Sequence, residues 1–339
     1  MRLRIVALVA ALLPMALARV AAAQPSPDTG SATARSYAEF LSMGPHRAFA
    51  VGGDGKPYWY AGASGADPGN AIASALKRCA ERSPPPCRLQ TVNNVTVSGE
   101  AAWRDEVPAR APGAPDLGRL RPQPYWAMRG PQLANGLVVW SHGYRAGRNA
   151  TDSAPQAWVG RFSRLGYDLY RFDREWIADW ASDATALADA VRKARALGYR
   201  RVLLAGQSAG AWVSLAAAAR GAPVDGVVSI AAAHHGEVRS MKDTTRARSE
   251  WQNMLAAIKP GPRLVVVNFS DDTYDVGGRM DDARRILARN GVAAEIVDGP
   301  EGFSGHGAGA EFAFARRFGP CLQAFIEHGT RQKPCTSGD

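Results

Sequence analysis

The sequence predicts an α/β fold in which helices cover both faces of a mostly parallel sheet. Between residues 124 and 328, short runs of Val, Ile and Leu alternate with stretches of helical periodicity. Apolar, β-branched strands separated by helices are typical of a parallel sheet that is buried on both faces. The chain has 339 residues, of which 46% are hydrophobic, so it is long enough for this domain and a second, smaller one.

Six strands are expected in the larger domain, which should occupy residues 124–328. The strands are expected at 137–140, 168–172, 202–205, 226–230, 263–267 and 294–297. The helices are expected at 155–165, 178–197, 211–219, 250–258 and 281–289, with a further helical region within 308–328. Crossovers between parallel strands of one sheet are right-handed by default, and we expect that here.

The smaller domain is expected at 37–103, with the element order β-β-α-β. Residues 47–51 and 58–60 alternate in the manner of strands, and the glycines between them predict a hairpin turn. Residues 70–82 have the helical spacing of apolar side chains, and residues 88–92 predict a third strand. No combination of catalytic residue types is recognisable in this domain.

Segments without regular structure are expected around the two domains. Residues 24–36 are rich in Pro, Ser, Thr and Ala, which is the composition of a flexible segment. Residues 104–123 are rich in proline and predict a semi-stiff linker, so the domain boundary should lie there. Residues 329–339 follow the last helical region and are expected to form a C-terminal tail.

The N-terminus has the features of a secretory signal peptide. Arg2 and Arg4 precede an apolar stretch at 5–18, and Ala21 and Ala23 supply the small residues of a cleavage site. Residues 1–23 are therefore expected to be removed on export, which makes the mature protein periplasmic or extracellular. No later stretch reaches the length of a transmembrane helix, so we expect a mature chain without a membrane span.

The four cysteines form two close pairs near opposite ends of the chain. Four cysteines allow three pairings, and the cost of closing long loops favours Cys79 with Cys87 and Cys321 with Cys335. Neither pair has a spacing to histidine that is typical of a metal site. We therefore expect two structural disulfides, formed in an oxidising compartment.

The formal net charge of +10 indicates a basic surface that could attract anionic polymers. The arginines are scattered along the predicted helices, and no long basic run alternates with aromatic residues. Nucleic-acid binding is therefore not expected. The sequence has no internal repeats, and it leaves the oligomeric state open.

A Gly-x-Ser-x-Gly motif at 206–210 is the feature around which the larger domain is organised. It follows a predicted strand and precedes a predicted helix, which is the setting in which this motif places a nucleophilic serine on a sharp turn. Glycines on both sides allow the backbone to turn without a Cβ clash. The alternative is that Ser208 merely caps the following helix.

Together with two further motifs, this one makes residues 124–328 resemble an α/β hydrolase. His142 and Gly143 end an early strand, the serine motif follows, and aspartates and then His306 come after two later strands. The order Ser, Asp, His is that of the family, so the resemblance implies the α/β-hydrolase fold. There is little room before residue 137 for the family's first two strands, and a reduced version of the fold is expected.

The resemblance also implies roles for these residues. Ser208 is expected to be the nucleophile, His306 the base that removes its proton, and Asp272 the carboxylate that orients His306. Asp271 is the alternative acid. His306 lies between two glycines, which is unusual for a histidine packed in a core.

An oxyanion hole is implied as well. In the family it is built from the backbone N–H after the nucleophile, here that of Ala209, and one from the early loop, here that of Tyr144. His142 either shapes this loop or has a structural role. No cofactor is expected. A divalent cation held by the aspartates after the strand at 263–267 is a weaker alternative, because their spacing matches no familiar cation loop.

The remaining candidates near the site are aromatic and imidazole side chains. His234 and His235 follow a strand and are expected to be structural or to support the site, and Trp212 could line an acyl pocket or belong to the core. Residues 234–262 form the only insertion long enough for a cap over the site, so we expect a small cap and an open cleft.

The function that the resemblance implies is that of a secreted serine hydrolase. It would cleave a carboxylic ester of a small-molecule or acylated substrate through an acyl-enzyme intermediate. Amide or thioester hydrolysis is an alternative within the same chemistry. An alternative of a different class is a non-catalytic protein that binds the cell envelope with a hydrolase scaffold, because a fold does not determine a function.

Overall fold

The computed structural model describes residues 32–62, 67–144, 154–174, 179–329 and 335. The predicted signal peptide lies outside the described residues, as do residues 24–31 of the predicted flexible segment and nearly all of the predicted tail. No helix in the described part of the chain is long and apolar enough to cross a membrane.

The N-terminal part of the chain forms a four-stranded antiparallel sheet that packs against a helix. Its elements are α1 (Ala32–Phe40), β1 (Arg47–Val51), β2 (Pro57–Ala61), α2 (Gly69–Ala80), β3 (Arg88–Val92), β4 (Val95–Thr96) and α3 (Trp103–Glu106). The strand order is β2-β1-β3-β4. The predicted β-β-α-β order is present, with β4 added as a short edge strand.

Residues 32–36 were expected to be flexible and are instead helical, in α1. The composition is misleading here because Tyr37 and Phe40, further along the same helix, pack on Phe49 with ring centroids 4.9 and 5.4 Å away. Phe40 is fully buried, and the burial of such a ring stabilises a helix that its own propensity would not.

The larger part of the chain forms a mostly parallel sheet with helices on both faces, as predicted. Its strands are β5 (Leu120–Pro122), β6 (Gly136–Ser141), β7 (Tyr167–Phe172), β8 (Val202–Gln207), β9 (Gly226–Ile230), β10 (Arg263–Asn268) and β11 (Ala294–Asp298). Its helices are α4 (Gly160–Arg164), α5 (Trp180–Ala196), α6 (Ala209–Ala219), α7 (Thr244–Ala257), α8 (Arg279–Arg289), α9 (Phe312–Arg317) and α10 (Gly319–His328).

The order of the seven strands is β11-β10-β9-β8-β6-β7-β5. Neighbouring strands are parallel except at one edge, where β5 runs antiparallel to β7. The prediction of six strands missed β5, which lies in the segment expected to be a linker. Pro122 makes the strand hard to recognise in the sequence. Proline is tolerated at a sheet edge because the outer side of an edge strand needs no backbone N–H donor.

The proline-rich segment is therefore not a solvated linker along its whole length. Leu117 and Leu120 are buried in the core of the large sheet, and Val107 and Ala111 are also buried. Burial of these side chains holds the segment in place although its composition suggests a spacer. The division of the chain into two domains stays a prediction.

Alternate residues of β6 show why both faces of the sheet are covered. Leu137 and Val139 point into a core formed with α5, α6, α7 and α8, whereas Val138 and Trp140 point into a second core with α9 and α10. All six residues of β6 are buried. A strand that is apolar on both faces requires a helical layer on each side.

The smaller sheet does not stand apart from the larger one. Met43 and Ala61 share the second core with Trp126 and Trp158. Gly160 lies so close to the Met43 backbone that a Cβ added there would be 1.7 Å from the Met43 carbonyl oxygen. Glycine at the start of α4 is thus required for this contact.

Both predicted cysteine pairs are bonded. Cys79 and Cys87 join the end of α2 to the start of β3, and Cys321 and Cys335 join α10 to the C-terminal segment. The backbone N–H of Cys335 donates to the carboxylate of Glu295, so Cys335 lies against the edge strand β11.

Residues 234–262 do not form a cap. Most of them belong to α7, which begins at Thr244 because the Asp243 side chain accepts from the N–H of Arg246. Trp251 and Leu255 are buried in the core, so α7 covers the sheet as a crossover helix. The short segment 231–243 is what remains beside the site.

Candidate active site

Ser208 lies on a strained turn between β8 and α6. Its backbone has φ 55° and ψ −124°, a region that non-glycine residues rarely occupy and that is frequent at functional sites. The Ser208 N–H donates to the Ile230 carbonyl, 3.0 Å away, which ties the turn to the end of β9. The Ser208 hydroxyl makes no helix-capping hydrogen bond, so the capping alternative is wrong.

The two glycines of the motif are needed for close approach rather than for unusual φ angles. A Cβ on Gly206 would lie 2.5 Å from the Gly210 carbonyl carbon, and a Cβ on Gly210 would lie 2.0 Å from the Ser141 carbonyl oxygen. The first contact lets α6 fold back on β8. The second brings the start of α6 against the end of β6, where the His142–Gly143 pair begins.

His306 contacts both partners that the sequence predicted for it. Its Nε2 is 2.8 Å from the Ser208 hydroxyl oxygen, and its Nδ1 is 2.9 and 3.0 Å from the two carboxylate oxygens of Asp272. The Asp272 side chain is 2% exposed and that of His306 is 19% exposed. The imidazole therefore bridges the Ser208 hydroxyl and a carboxylate that is more deeply buried than the imidazole itself.

The loop after β10 separates the two candidate acids. Asp272 accepts from His306 and from the N–H of Tyr274, whereas Asp271, with φ 55°, accepts from the Ser304 hydroxyl at 2.7 Å. Asp275 accepts from Asn268. The three carboxylates therefore have three different partners and do not converge on one point.

Tyr274 covers one face of His306. The two ring centroids are 4.2 Å apart and the ring planes are inclined by 31°. Burial and the Glu237 carboxylate raise the pKa of Tyr274. The N–H of Val238 also donates to the Thr273 carbonyl, so segment 231–243 and the loop after β10 together hold this ring against the imidazole.

The early loop runs beside Ser208. A Cβ on Gly143 would lie 3.3 Å from the Ser208 Cβ, so the backbone that leads to Tyr144 passes directly next to the serine. The N–H of Ala209 is at the first turn of α6, where helical N–H groups have no acceptor within the helix. Both predicted oxyanion donors are thus on segments that adjoin Ser208.

His142 holds this loop in a defined shape. Its Nε2 accepts from the backbone N–H of Arg174 at 3.2 Å, so its proton is on Nδ1, which donates to the Gly143 carbonyl at 2.5 Å. Burial, followed by the charge of Arg174, lowers the pKa of His142 to about 4. The imidazole is therefore neutral near pH 7 and keeps this pair of hydrogen bonds.

Sequence reasoning missed the roles of two residues in the site. Gln207, within the motif itself, donates from Nε2 to the His306 carbonyl at 3.1 Å, and it links the serine turn to the histidine loop. Arg174 donates to the His142 carbonyl as well as to its ring. Only the position of Gln207 beside Ser208 was visible in the sequence.

The other predicted aromatic and imidazole candidates are structural. Trp212 is fully buried and packs among Trp180, Trp251, His234 and His235 with centroid distances of 5.4 to 6.1 Å. His235 contacts the Glu250 carboxylate at 3.0 Å. Trp212 therefore belongs to the core and not to an acyl pocket.

These features define the class of protein. A parallel sheet with one antiparallel edge strand, a serine on a strained strand-to-helix turn, and an aspartate and a histidine on the loops after two later strands make up the α/β-hydrolase fold. The sequence predicted a reduced fold with little room for strands before residue 137. The structure does have one strand there, β5, which pairs antiparallel with β7 at the edge of the sheet.

No protein-family model and no curated protein matches this sequence. Several solved structures are similar. A truncated carbohydrate esterase from gut microbiota is 14% identical with a TM-score of 0.43, over 61% of this chain and 88% of its own. An esterase of Pyrococcus furiosus is 16% identical with a TM-score of 0.43, over 57% of this chain and 81% of its own.

Peptidases are also among the similar structures. The dipeptidyl peptidase 4 of Porphyromonas gingivalis is 13% identical with a TM-score of 0.41, over 55% of this chain and 30% of its own. Identities and scores this low carry no argument about the reaction, which has to be argued from the geometry of the site.

Proposed function

We propose that this protein is a serine hydrolase that cleaves carboxylic esters through an acyl-enzyme intermediate. The observation that carries the proposal is the position of the His306 imidazole, with Nε2 2.8 Å from the Ser208 hydroxyl and Nδ1 2.9 Å from the buried Asp272 carboxylate. A nucleophile, a base and an orienting acid within hydrogen-bonding distance are the requirements for acyl transfer.

In the first half of the reaction, the Ser208 oxygen attacks the ester carbonyl while His306 Nε2 accepts the hydroxyl proton. Asp272 keeps the proton of Nδ1 in place and stabilises the imidazolium that forms. The N–H groups of Ala209 and Tyr144 stabilise the negative oxygen of the tetrahedral intermediate. When the intermediate collapses, His306 returns its proton to the leaving alkoxide and the acyl group stays on Ser208.

In the second half, water replaces the alcohol. His306 removes a proton from water, the resulting hydroxide attacks the acyl carbonyl, and the proton returns to Ser208 as the acid leaves. The Tyr274 ring packs on one face of the imidazole, and contact with an aromatic ring stabilises the cationic form in both halves.

Esters are the substrate class that the chemistry supports most generally. A triad that cleaves amides also cleaves activated esters, because the ester carbonyl is more reactive and its leaving group needs less protonation. The two disulfides are typical of an oxidising compartment, which supports action after export. The substrate we propose is a small-molecule or acylated ester.

The test is the variant Ser208→Ala. We expect the wild type to be labelled by a fluorophosphonate probe and to hydrolyse p-nitrophenyl acetate, and Ser208→Ala to lose the label and about 10⁴-fold or more of kcat. Ser214→Ala is the matched control, since this serine is in α6, the helix that follows Ser208, and its hydroxyl donates to the Gly210 carbonyl. Folded wild type that takes no label, together with equal turnover by Ser208→Ala, would refute the proposal.

A further inference from the structure

Gln207 is the last residue of β8, directly before Ser208, and its side chain contacts two other segments of the site. Its Nε2 donates to the backbone carbonyl of His306 at 3.1 Å. Because a carbonyl oxygen can only accept a hydrogen bond, the amide nitrogen has to face His306 and the amide oxygen faces away from it. The orientation of the side chain is therefore fixed by its partner.

The amide oxygen of Gln207 lies against the early loop. A Cβ on Gly143 would be 2.5 Å from Gln207 Oε1 and 3.3 Å from the Ser208 Cβ, so the amide occupies the space that a side chain at position 143 would need. One side chain thus contacts both the loop that leads to Tyr144 and the loop that carries His306.

The backbone on both sides of His306 is not confined by packing. Gly305 and Gly307 flank the histidine, and a Cβ at either position would meet nothing within 4 Å. Glycine also has the widest choice of backbone angles, and Gly305 has φ 81°. The position of His306 therefore depends on the hydrogen bonds of its loop.

Two of these hydrogen bonds come from opposite sides of the triad. The N–H of Gly305 donates to the Ser270 carbonyl at 2.7 Å, in the loop after β10 that also carries Asp272. The bond from Gln207 to the His306 carbonyl comes from the strand that leads to the nucleophile. The first bond holds the histidine loop next to the acid, and the second holds it next to the serine turn.

We propose that Gln207 is a positioning residue that holds His306 at hydrogen-bonding distance from Ser208 and supports the early loop at Gly143. The inference rests on the proposed function and adds a residue to the site that performs it. Gln207 acts through the backbone of its neighbours and takes no part in proton transfer. Because a misplacement of 1 Å between reacting groups can slow a reaction about 100-fold, such a support bears directly on kcat.

Gln207→Met is the main test, because methionine has nearly the same length and no amide to donate. We expect kcat for p-nitrophenyl acetate to fall about 10- to 100-fold, with KM within about threefold of the wild-type value. His306 acts in both halves of the reaction, so its displacement slows both and leaves KM nearly unchanged. Titration of active sites with the fluorophosphonate probe corrects for any loss of folded enzyme.

Gln207→Glu separates the hydrogen bond from the space that the side chain fills. Glutamate has the shape of glutamine, but near pH 7 it is ionised and cannot donate to the His306 carbonyl. We expect it to lose at least as much kcat as Gln207→Met. The matched control is Gln252→Met on α7, where the amide donates to Asp282 at 2.8 Å. This variant also loses an amide hydrogen bond and should keep the wild-type kcat.

A second measurement varies the leaving group. Phenolate is more basic than p-nitrophenolate, so phenyl acetate depends more on the proton that His306 returns to the leaving oxygen. Gln207→Met should therefore lose more kcat/KM with phenyl acetate than with p-nitrophenyl acetate. A merely structural role predicts equal losses, because the two esters have the same acyl group.

The inference is overturned if folded Gln207→Met keeps kcat within about threefold of wild type, if Gln207→Glu matches wild type, or if the two esters lose equally. Failure of both variants to fold would also overturn it, since Gln207 would then be a residue of the fold. In each case, labelling of Ser208 and turnover by wild type would leave the proposed function standing. No labelling and no turnover by folded wild type would remove both.

Discussion

At the scale of single residues, two consecutive aspartates have different partners in the site. Asp271 and Asp272 have the same side chain, but Asp271 has a positive φ and contacts Ser304, whereas Asp272 contacts His306. The local backbone twist sends the two carboxylates in different directions. The sequence left both open as the acid, because side-chain direction on a loop is not a property of composition or spacing.

This difference gives a paired prediction. Asp272→Asn should lower kcat by about 10³–10⁴-fold, because an amide at this position favours the wrong imidazole tautomer. Asp271→Asn should lower kcat by less than about tenfold, since the Asp271 carboxylate only accepts from Ser304. Steady-state kinetics with p-nitrophenyl acetate measures both. Equal losses in the two variants would contradict the assignment of Asp272 as the acid.

Tyr274 is a second residue whose role is visible only in three dimensions. Its ring lies 4.2 Å from the His306 ring centroid, and its N–H donates to the Asp272 carboxylate. The backbone contact is available to any residue except proline, but the ring contact requires an aromatic side chain. Tyr274 is therefore a positioning residue in the proposed reaction.

We expect Tyr274→Leu to lower kcat by about 3–30-fold with little change in KM, since an aromatic ring against an imidazolium contributes about 0.5–2 kcal/mol. Tyr274→Phe keeps the ring and should restore most of kcat. A merely structural role would instead predict that both variants change thermal stability and leave the kcat ratio between Leu and Phe close to one.

At the scale of elements, the turn between β8 and α6 depends on two glycines that pack against backbone. The sequence suggested that they permit a sharp turn, and the structure shows where the space is needed. Neither Gly206 nor Gly210 has a positive φ, and Ser208 itself takes the strained conformation. Strain at the serine is balanced by the close packing of β6, β8 and α6 around it.

Gly210→Ala should therefore disrupt the site. Its Cβ would meet the Ser141 carbonyl oxygen at 2.0 Å, and backbone on both sides of the contact would have to move. We expect a loss of stability of about 1–3 kcal/mol in chemical unfolding and a large loss of activity. Gly307→Ala is the steric control for stability, because nothing lies within 4 Å of a Cβ there. Equal stability of the two variants would contradict this reading.

The edge of the sheet shows where element prediction fails. The central strands were recognisable because strands buried on both faces are continuous apolar runs. β5 has only three residues and contains a proline, so it carries no such signal. Its place is decided by pairing with β7, about fifty residues further along the chain, and by the burial of Leu120.

At the scale of the whole molecule, the two sheets share a core, and a buried histidine is subject to charges from both parts of the chain. His46 is 5% exposed, and its ring lies near Tyr125. The charges that act on it come from Asp67, in the smaller part of the chain, and from Arg171, on β7 of the larger sheet. Burial lowers the pKa of His46 to about 4.

Acid should therefore weaken the fold through this histidine. Below its ordinary pKa of about 6.5, the unfolded state binds a proton that folded His46 does not take up until about pH 4, so the free energy of unfolding falls as the pH is lowered between these values. His46→Gln should reduce this dependence. Urea unfolding near pH 7 and near pH 5 measures it, and an equal pH effect in both proteins would show that His46 does not contribute.

The sequence by itself determined the alternation of strands and helices, both cysteine pairings and the identity of the serine and histidine that meet in the structure. These signals are local, since apolar runs, a strand-turn-helix motif and short loops are written in neighbouring residues. Only the tertiary structure decided between the two aspartates, placed β5, made α7 a covering helix and not a cap, and brought Tyr274 against His306. Those outcomes depend on side-chain direction and on contacts between segments that are distant in the sequence. The free energy of packing determines both, and no local sequence pattern encodes them.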